Sequence, residues 1–324
     1  IPPETQIWLF LGFFVAFAIK APLVPLHTWL PDAGAEAPVG AGVLLVGVLD
    51  KVGIYGFLRY CLPLFPDASR ALAPLVLTLA VAGILYGALL AVGQTDLKRF
   101  VAYTSVAHFG FIALGVFAFS TQGQAGAVLY MINHGISTGM LFIVIGMLMA
   151  RGGSRLISDY GGVAALAPVL AGMMLVAGLS SLALPGTNSF VSEFLVLIGS
   201  FPREPVYTVL ATAGIILAAL YVLWVYQRVM QGPVRGAAVL GTLGGAGTAG
   251  GPGAMLAPEA AANRHGNLFP DLSVREIAVL APMVALILLL GFFPQPVLDV
   301  INPSVEATLS EVGLTDPVPV QGGS

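Results

Sequence analysis

Residues 163–201 read VAALAPVLAGMMLVAGLSSLALPGTNSFVSEFLVLIGSF, an almost unbroken apolar run. As one straight α-helix this run would be about 58 Å long, whereas the hydrocarbon core of a bilayer is about 30 Å thick. Pro185 and Gly186 lie near its middle, where proline removes a helical hydrogen bond and glycine admits backbone conformations that other residues avoid. We therefore predict one membrane-crossing element that is interrupted at Pro185–Gly186. An ordinary proline kink is the alternative interpretation.

Further apolar segments are long enough to cross a membrane, because a spanning helix needs about 20 mostly apolar residues. They lie at 6–26, 38–60, 73–94, 100–119, 125–150, 207–230 and 274–293. Hydrophobic residues make up 57% of the chain and charged residues only 9%, against about a quarter charged in soluble domains. The sequence therefore predicts an all-α, multi-pass membrane protein with about eight crossing helices.

The first segment is also irregular, since Pro22 and Pro25 interrupt its apolar run. The two broken segments lie five segments apart, so equivalent elements would cross the membrane in opposite directions. Many transporters are built from such inverted repeats, with broken helices that line a cavity or are buried in protein. The spacing therefore favours an inverted-repeat architecture.

Composition excludes several kinds of site. Cys61 is the only cysteine, which excludes a disulfide framework, an iron–sulfur cluster or a cysteine zinc site built from this chain alone. The net charge of -3 gives no reason to expect a nucleic-acid partner, and the chain has no glycine-rich dinucleotide fingerprint. We expect lipid around the chain and no cofactor or metal bound by it.

Lysine and arginine are shared unequally between the two sides of the predicted helices. With loops assigned to alternate sides, one side holds Lys98, Arg99, Arg151, Arg155, Arg228, Arg235, Arg264 and Arg275, and the other holds Arg59, Arg70 and Arg203. The positive-inside rule makes the first side cytoplasmic and places the C-terminal tail outside.

These patterns divide the chain into four regions. We predict a transmembrane domain at 1–231, a flexible Gly/Ala-rich cytoplasmic loop at 232–273, a last transmembrane helix at 274–293 and an extracytoplasmic tail at 294–324. Residues 236–262 have too few helix signals to predict a helix, whereas a short amphipathic helix is expected near 303–312. Residue 1 is Ile, without the features of a signal peptide, so we expect further helices upstream.

Ionisable residues inside the apolar segments are the candidate functional residues: Lys20, Lys51, His108, His134 and Glu193. A charge at the bilayer centre costs about 2.5–3.5 kcal/mol on insertion scales, so such residues usually mark ion pathways or proton relays. We predict that all five face the protein interior and form a row near the membrane midplane.

Lys51 lies roughly 14 Å from the nearer end of its segment, too far for its ammonium to reach the membrane surface comfortably. A buried lysine can lose and regain its proton, which suits it to a relay. A static ion pair with Asp50 is the alternative, although adjacent helical residues point about 100° apart, so we predict different partners for Asp50 and Lys51. Lys20 is nearer a segment end, and snorkelling is its alternative.

His108 and His134 each have hydroxyl or amide neighbours at helical spacing, and histidine titrates near neutrality. A relay, a hydrogen-bonded structural histidine and a bis-histidine haem are the alternatives for this pair. Glu193 follows the polar run after the Pro185–Gly186 break, where a carboxylate could exchange protons with water. These three residues complete the predicted row.

Three motifs resemble blocks of the antiporter-like membrane subunits of respiratory complex I. The first runs from Lys20-Ala21-Pro22 through Pro25-Leu26-His27-Thr28-Trp29-Leu30-Pro31-Asp32-Ala33 to Glu36-Ala37-Pro38-Val39. The second is Asp96-Leu97-Lys98-Arg99 with Ala102-Tyr103-Thr104-Ser105-Val106-Ala107-His108-Phe109-Gly110, and the third is Leu184-Pro185-Gly186-Thr187 with Phe190 and Glu193-Phe194. The match covers nearly all of residues 1–300. Glu193 stands where one branch of the family has glutamate and the other branches have lysine.

The resemblance implies the second half of a longer helical protein in a bacterial plasma membrane. It also implies that Lys20, Lys51, His108, His134 and Glu193 form half of a proton-carrying axis in a non-redox subunit of a translocase. Flavin, iron–sulfur clusters, NADH and quinone would then belong to partner subunits, and the L-type and N-type antiporter-like subunits would be neighbours. Asp50 and the Gly-rich stretch at 236–262 depart from the family pattern.

Other functions share part of this pattern. A subunit of a multisubunit cation/proton antiporter or of a membrane-bound hydrogenase would carry the same motifs. A quinone- or haem-binding redox membrane protein is an alternative of another class, and a purely structural anchor is the simplest one. Five ionisable groups at membrane depth argue against the anchor.

Overall fold

A computed structural model describes residues 2–243, 255–256 and 269–316, and the side chains of 242, 243, 255 and 256 are not described. Within this part of the chain, six helices are long and apolar enough to cross a membrane. They are α3 (Val39–Leu64), α4 (Pro66–Val92), α5 (Leu97–Phe117), α6 (Thr121–Gly152), α9 (Pro205–Met230) and α11 (Val274–Phe292). The other α-helices of the described residues are α1 (Pro3–Lys20), α2 (Trp29–Glu36), α7 (Pro168–Ser181), α8 (Asn188–Ser200), α10 (Ala237–Leu243) and α12 (Gln295–Val312), and short 3-10 helices occupy Ile157–Asp159 and Val163–Ala165. The all-α membrane fold is confirmed.

The two predicted interruptions are present. The first segment stops at Lys20, turns through Ala21–Thr28 and resumes as α2, and the Trp29 indole donates to the freed Ile19 carbonyl at 2.7 Å. The long apolar run divides into α7 and α8 on either side of Leu182–Thr187, where Gly186 has a φ of +94° that side chains rarely adopt. The breaks therefore lie where proline and glycine predict them.

Helix α5 is the centre of the bundle. Over an apolar stretch of 18 residues, 94% of the α5 residues are buried inside the protein, whereas only 17% are buried over a stretch of the same length in α11. Small residues let its neighbours approach closely: a Cβ on Gly110 would lie 2.5 Å from the Ala80 carbonyl oxygen of α4, and one on Gly115 would lie 2.6 Å from the Gly123 carbonyl oxygen of α6. The residues of α5 are therefore enclosed by protein, whereas α11 presents most of its surface outward.

Helix α3 is not a regular α-helix. It contains two π-helical turns, at Leu45–Leu49 and at Phe57–Cys61. Each π-turn accommodates a wider hydrogen-bond ring and shifts the face on which the following side chains lie. The first turn ends immediately before Asp50 and Lys51, so it decides where these two side chains point.

The Gly/Ala-rich stretch differs from the prediction in its first part. We predicted no helix at 236–262, but α10 occupies Ala237–Leu243, because Ala238 and Val239 are buried against the bundle and packing outweighs weak local signals. Just before α10, β1 (Val234–Arg235) pairs with β2 (Met255–Leu256). The rest of the predicted loop, at 244–254 and 257–268, and residues 317–324 of the tail lie outside the described residues.

The two ends of the bundle carry different ionic contacts. At one end Arg155 meets Asp96 and Glu36, and Arg151 meets Glu276 beside the capped start of α11. At the other end Arg70 donates to the Val312 carbonyl and Arg203 to the Thr315 carbonyl, which fastens the C-terminal segment. The amphipathic tail helix predicted near 303–312 is the longer α12, Gln295–Val312. Arg151 and Arg155 thus lie at one end of the bundle and Arg70 and Arg203 at the other, and the predicted side of the membrane for each end stays a prediction.

Candidate functional site

Four of the five candidate residues meet in the interior, joined by Tyr130. We call Lys51, His134, His108, Tyr130 and Glu193 the polar line. Lys51 comes from α3, His108 from α5, Tyr130 and His134 from α6, and Glu193 from α8. Tyr130 and His134 are four residues apart, so they lie on one face of α6 and span the distance between α3 and α8.

Lys51 begins the polar line. Its ammonium nitrogen lies 2.7 Å from His134 Nδ1 and donates to the Val46 carbonyl. Because an ammonium has only donors, His134 Nδ1 must accept this hydrogen bond, which places the ring proton of neutral His134 on Nε2. The ammonium also lies 5.3 Å from the centre of the Phe109 ring.

The prediction that Asp50 and Lys51 have different partners is wrong. Lys51 Nζ lies 2.9 Å from Asp50 Oδ1. The π-turn at Leu45–Leu49 alters the register before this pair, and the long lysine stem folds back toward the N-terminus of α3 until it reaches the Val46 carbonyl. The regular 100° step between neighbours therefore does not keep the two charges apart.

The two histidines form the middle of the polar line. Their ring centres are 5.4 Å apart at an interplanar angle of 65°, and the Phe109 ring lies 5.4 Å from that of His134. Both imidazoles are buried. No hydrogen bond joins the two rings in the described structure. The contact between His134 and His108 is therefore the one step of the polar line without a direct hydrogen bond.

Tyr130 connects His108 to Glu193. Its hydroxyl donates to Glu193 Oε2 at 2.7 Å and lies 2.8 Å from His108 Nδ1. Since the hydroxyl proton goes to the carboxylate, His108 Nδ1 donates to the phenol oxygen. Tyr130 is not among the residues predicted from the sequence. The signal that could have found it is the four-residue spacing on α6, which puts a hydroxyl on the histidine's face.

A cluster of small polar side chains adjoins the polar line. His108 Nε2 lies 3.3 Å from the Ser181 hydroxyl at the end of α7. Beside it, the Ser137 hydroxyl lies 2.6 Å from Ser180, 3.0 Å from Asn188 and 3.1 Å from Ser189. These groups fill the α7–α8 break with hydrogen-bonded side chains, which satisfies buried polar groups where the helix is interrupted.

Lys20 is not part of the polar line. It is the last residue of α1 and is exposed. The buried side chains of α1 are Gln6, Phe10, Phe14 and Ala18, a stripe with a four-residue period. Lys20 is two residues beyond Ala18, about 200° around the helix, which accounts for its exposure in the described chain. Its place in the predicted row stays a prediction.

The chemistry available to the site is proton transfer. Its groups include an ammonium, two imidazoles, a phenol and a carboxylate, all capable of exchanging a proton with a neighbour. The described residues hold no group of three or more His, Cys, Asp or Glu side chains arranged to bind a metal ion. Cys61, the only cysteine of the sequence, is a buried free thiol.

Known proteins share this chain's sequence and fold. A family model described as NADH:quinone oxidoreductase/Mrp antiporter, TM, matches residues 3–220. NADH-quinone oxidoreductase subunit M of Mycobacterium tuberculosis is 49% identical over 96% of this chain and 51% of its own length. NADH-ubiquinone oxidoreductase chain 4 of Marchantia polymorpha is 37% identical over 93% of this chain and 55% of its own. The chain thus spans about half the length of these relatives.

Solved structures give the same result. A chain of respiratory complex I from Thermus thermophilus with bound NADH superposes with a TM-score of 0.82 at 33% identity, covering 97% of this chain and 61% of that chain. A chain of the Mrp complex from Dietzia sp. DQ12-45-1b, at 24% identity, shares the fold with a TM-score of 0.73 over 92% of this chain and 60% of its own. The chain belongs to the NADH:quinone oxidoreductase/Mrp antiporter family of transmembrane proteins.

Proposed function

We propose that this chain is part of a proton-translocating membrane subunit of an NADH:quinone oxidoreductase, driven by quinone reduction in other subunits. The observation that carries the proposal is the polar line, which joins helices α3, α5, α6 and α8 through the enclosed centre of the bundle. Hydrogen-bond contacts connect Lys51 to His134 and His108 through Tyr130 to Glu193. The close relatives of this chain bear the name of this enzyme.

Transfer along the polar line depends on charges that respond to each other. At an effective dielectric of about 20, a unit charge about 6–7 Å away contributes roughly 2.5 kcal/mol, so protonation at one station changes the proton affinity of the next. Lysine, histidine and glutamate can all change charge, whereas arginine stays charged at any accessible pH. The residue types of the line therefore suit a relay rather than a fixed ion pair.

The setting of this function is also proposed. Other antiporter-like subunits, of the L-type and N-type, would lie beside the chain, and flavin, iron–sulfur clusters, NADH and quinone would be bound by partner subunits. The protein would lie in a bacterial plasma membrane with the C-terminal segment at the extracytoplasmic surface. The cluster of Arg151, Arg155 and Lys98 at the opposite end supports this orientation through the positive-inside rule.

Lys51 provides the decisive test. In inverted membrane vesicles containing the whole complex, Lys51→Ala is expected to abolish most NADH-driven proton uptake and to slow NADH oxidation, while the complex still assembles. Lys51→Arg should not restore uptake, because a guanidinium cannot give up its proton. Arg275→Ala is the control, since Arg275 is exposed at the start of α11 and distant in sequence from every residue of the line.

Normal proton uptake in Lys51→Ala would overturn the proposal and leave Lys51 as a structural partner of Asp50. The same vesicles distinguish the ion. Uptake that requires added sodium would indicate cation/proton exchange instead of proton translocation alone.

A further inference from the structure

Asp50 is a buried carboxylate that the polar line does not include. The buried positions of this part of α3 form a helical stripe, Val46, Asp50, Gly53 and Ile54, while Val48, Leu49 and Val52 on other faces are exposed. Such a stripe is normally apolar, because an unpartnered charge at membrane depth is costly. A carboxylate at this position therefore requires a partner of opposite charge.

Lys51 is that partner, and the contact is close. The Asp50 side chain is 0% exposed and that of Lys51 13%, with 2.9 Å between Oδ1 and Nζ. The two opposite charges compensate each other inside the bundle, which lowers the cost of burying either of them. The pair therefore brings no net charge to the start of the polar line.

The geometry of the ammonium also depends on Asp50. Lysine has three N–H donors. The ammonium makes hydrogen-bond contacts to the Val46 carbonyl and, at 2.7 Å, to His134 Nδ1, while Asp50 Oδ1 lies 2.9 Å away in an ion pair that is not a hydrogen bond. Because the Asp50 carboxylate and the Val46 carbonyl both belong to α3, they attract the ammonium to a place on α3 from which an N–H reaches His134.

We propose that Asp50 is a positioning residue for proton transfer: its carboxylate anchors the Lys51 ammonium and directs one N–H of that ammonium at His134. This inference rests on the proposed function. Without the carboxylate, the ammonium keeps the Val46 carbonyl as its contact on α3 and is free to turn away from His134. The contact between Lys51 Nζ and His134 Nδ1 would then form for only a small part of the time.

The test uses the whole complex in inverted vesicles and compares proton uptake per NADH oxidised. Asp50→Asn keeps the size of the side chain and removes its charge, and uptake is expected to fall on the order of tenfold. Asp50→Glu restores the charge and should recover most of the uptake. Asp67→Asn is the matched control, because Asp67 also pairs with a basic residue, Arg70, but at the exposed end of α4.

The results distinguish failure of the Asp50 role from failure of the proposed function. Uptake at the wild-type level in Asp50→Asn, together with loss of uptake in Lys51→Ala, would overturn the role of Asp50 and leave the proposed function intact. Wild-type uptake in Lys51→Ala would instead remove the proposed function itself. If neither Asp50→Asn nor Asp50→Ser yields an assembled complex, Asp50 is required for folding and the positioning role is rejected.

Discussion

The molecule holds two groups of charged and polar residues that use different chemistry. The polar line is buried and combines lysine, histidine, tyrosine and glutamate. The other group, which we call the surface ion cluster, consists of Asp32, Glu36, Asp96, Arg99 and Arg155. In it Arg99 lies 2.5 Å from Asp32, and Arg155 lies 2.8 Å from Asp96 and 3.1 Å from Glu36.

The difference lies in which groups can change charge. Every base of the surface ion cluster is an arginine, and the hydrogen bond to Glu36 and the charge of Asp96 raise the pKa of Arg155 further. These guanidiniums keep their protons, so the cluster can fasten the end of α2 to the start of α5 but cannot relay protons. The polar line contains no arginine. Under the proposed function, residue type, more than the number of charges, separates a line that can relay protons from a cluster that can only attach helices to each other.

The largest expected effect on transport in this comparison comes from Tyr130→Phe. This change removes the hydroxyl that joins His108 to Glu193 while keeping the ring and its packing. We expect proton uptake per NADH oxidised to fall on the order of tenfold or more, as for the loss of a proton-transfer group. Assembly of the complex should be unchanged. Tyr103→Phe, the same change on α5 outside the line, is the control and should retain uptake.

A smaller effect is expected from Gly135→Ala. A Cβ on Gly135 would lie 2.8 Å from the Gly47 carbonyl oxygen, so α3 and α6 must separate beside the Lys51–His134 contact. We expect proton uptake to fall several-fold. Gly139→Ala, one turn along the same helix, meets its nearest atom at 3.6 Å and should behave like the wild type. Equal uptake in the two variants would show that the crossing distance does not limit transfer.

Lys98→Met tests whether the contacts between α2 and α5 stabilise the protein without taking part in proton transfer. Lys98 is buried and donates to the Ala35 and Ala37 carbonyls at 2.6 and 2.5 Å, at the end of α2. Losing these charged hydrogen bonds should cost about 3 kcal/mol of stability. We expect a lower midpoint for thermal loss of the assembled complex, with uptake per NADH unchanged in the complex that remains. A loss of proton uptake without a loss of stability would show that Lys98 takes part in proton transfer and not only in attaching α2 to α5.

Arg99→Ala should have the smallest effect. The Arg99 and Asp32 side chains are 38% and 68% exposed, and exposed ion pairs contribute about 0–1 kcal/mol. Both the thermal midpoint and proton uptake should stay close to the wild type. A marked loss of uptake in this variant would mean that the surface ion cluster takes part in proton transfer.

The sequence predicted the features that depend on local chemistry. The breaks before Trp29 and around Gly186 follow from proline and glycine, which act on the backbone at their own positions. Lys51, His108 and Glu193 could be identified because an ionisable side chain inside an apolar segment costs free energy, so that such residues usually serve a function. These predictions needed no knowledge of which helices are neighbours.

The remaining features depend on packing between helices. Tyr130 became part of the line only because α8 places Glu193 beside it, and a tyrosine in an apolar segment attracts no notice by itself. The π-turn before Asp50 has no clear local sequence signal, and it overturned the expectation that Asp50 and Lys51 diverge. Lys20 lies off the stripe of buried residues on α1, and a count of residues from the end of the segment does not reveal on which face of a helix a side chain lies.

The close approach of Gly47 to Gly135 has a consequence for the protein in membranes of different thickness. Helices accommodate a thicker or thinner bilayer by tilting, and a tilt about a crossing point displaces the helix ends more than the crossing itself. Lys51 and His134 lie next to this crossing, where main chain meets main chain. Changes in lipid chain length should therefore move the loops and the surface ion cluster while leaving the Lys51–His134 distance almost constant.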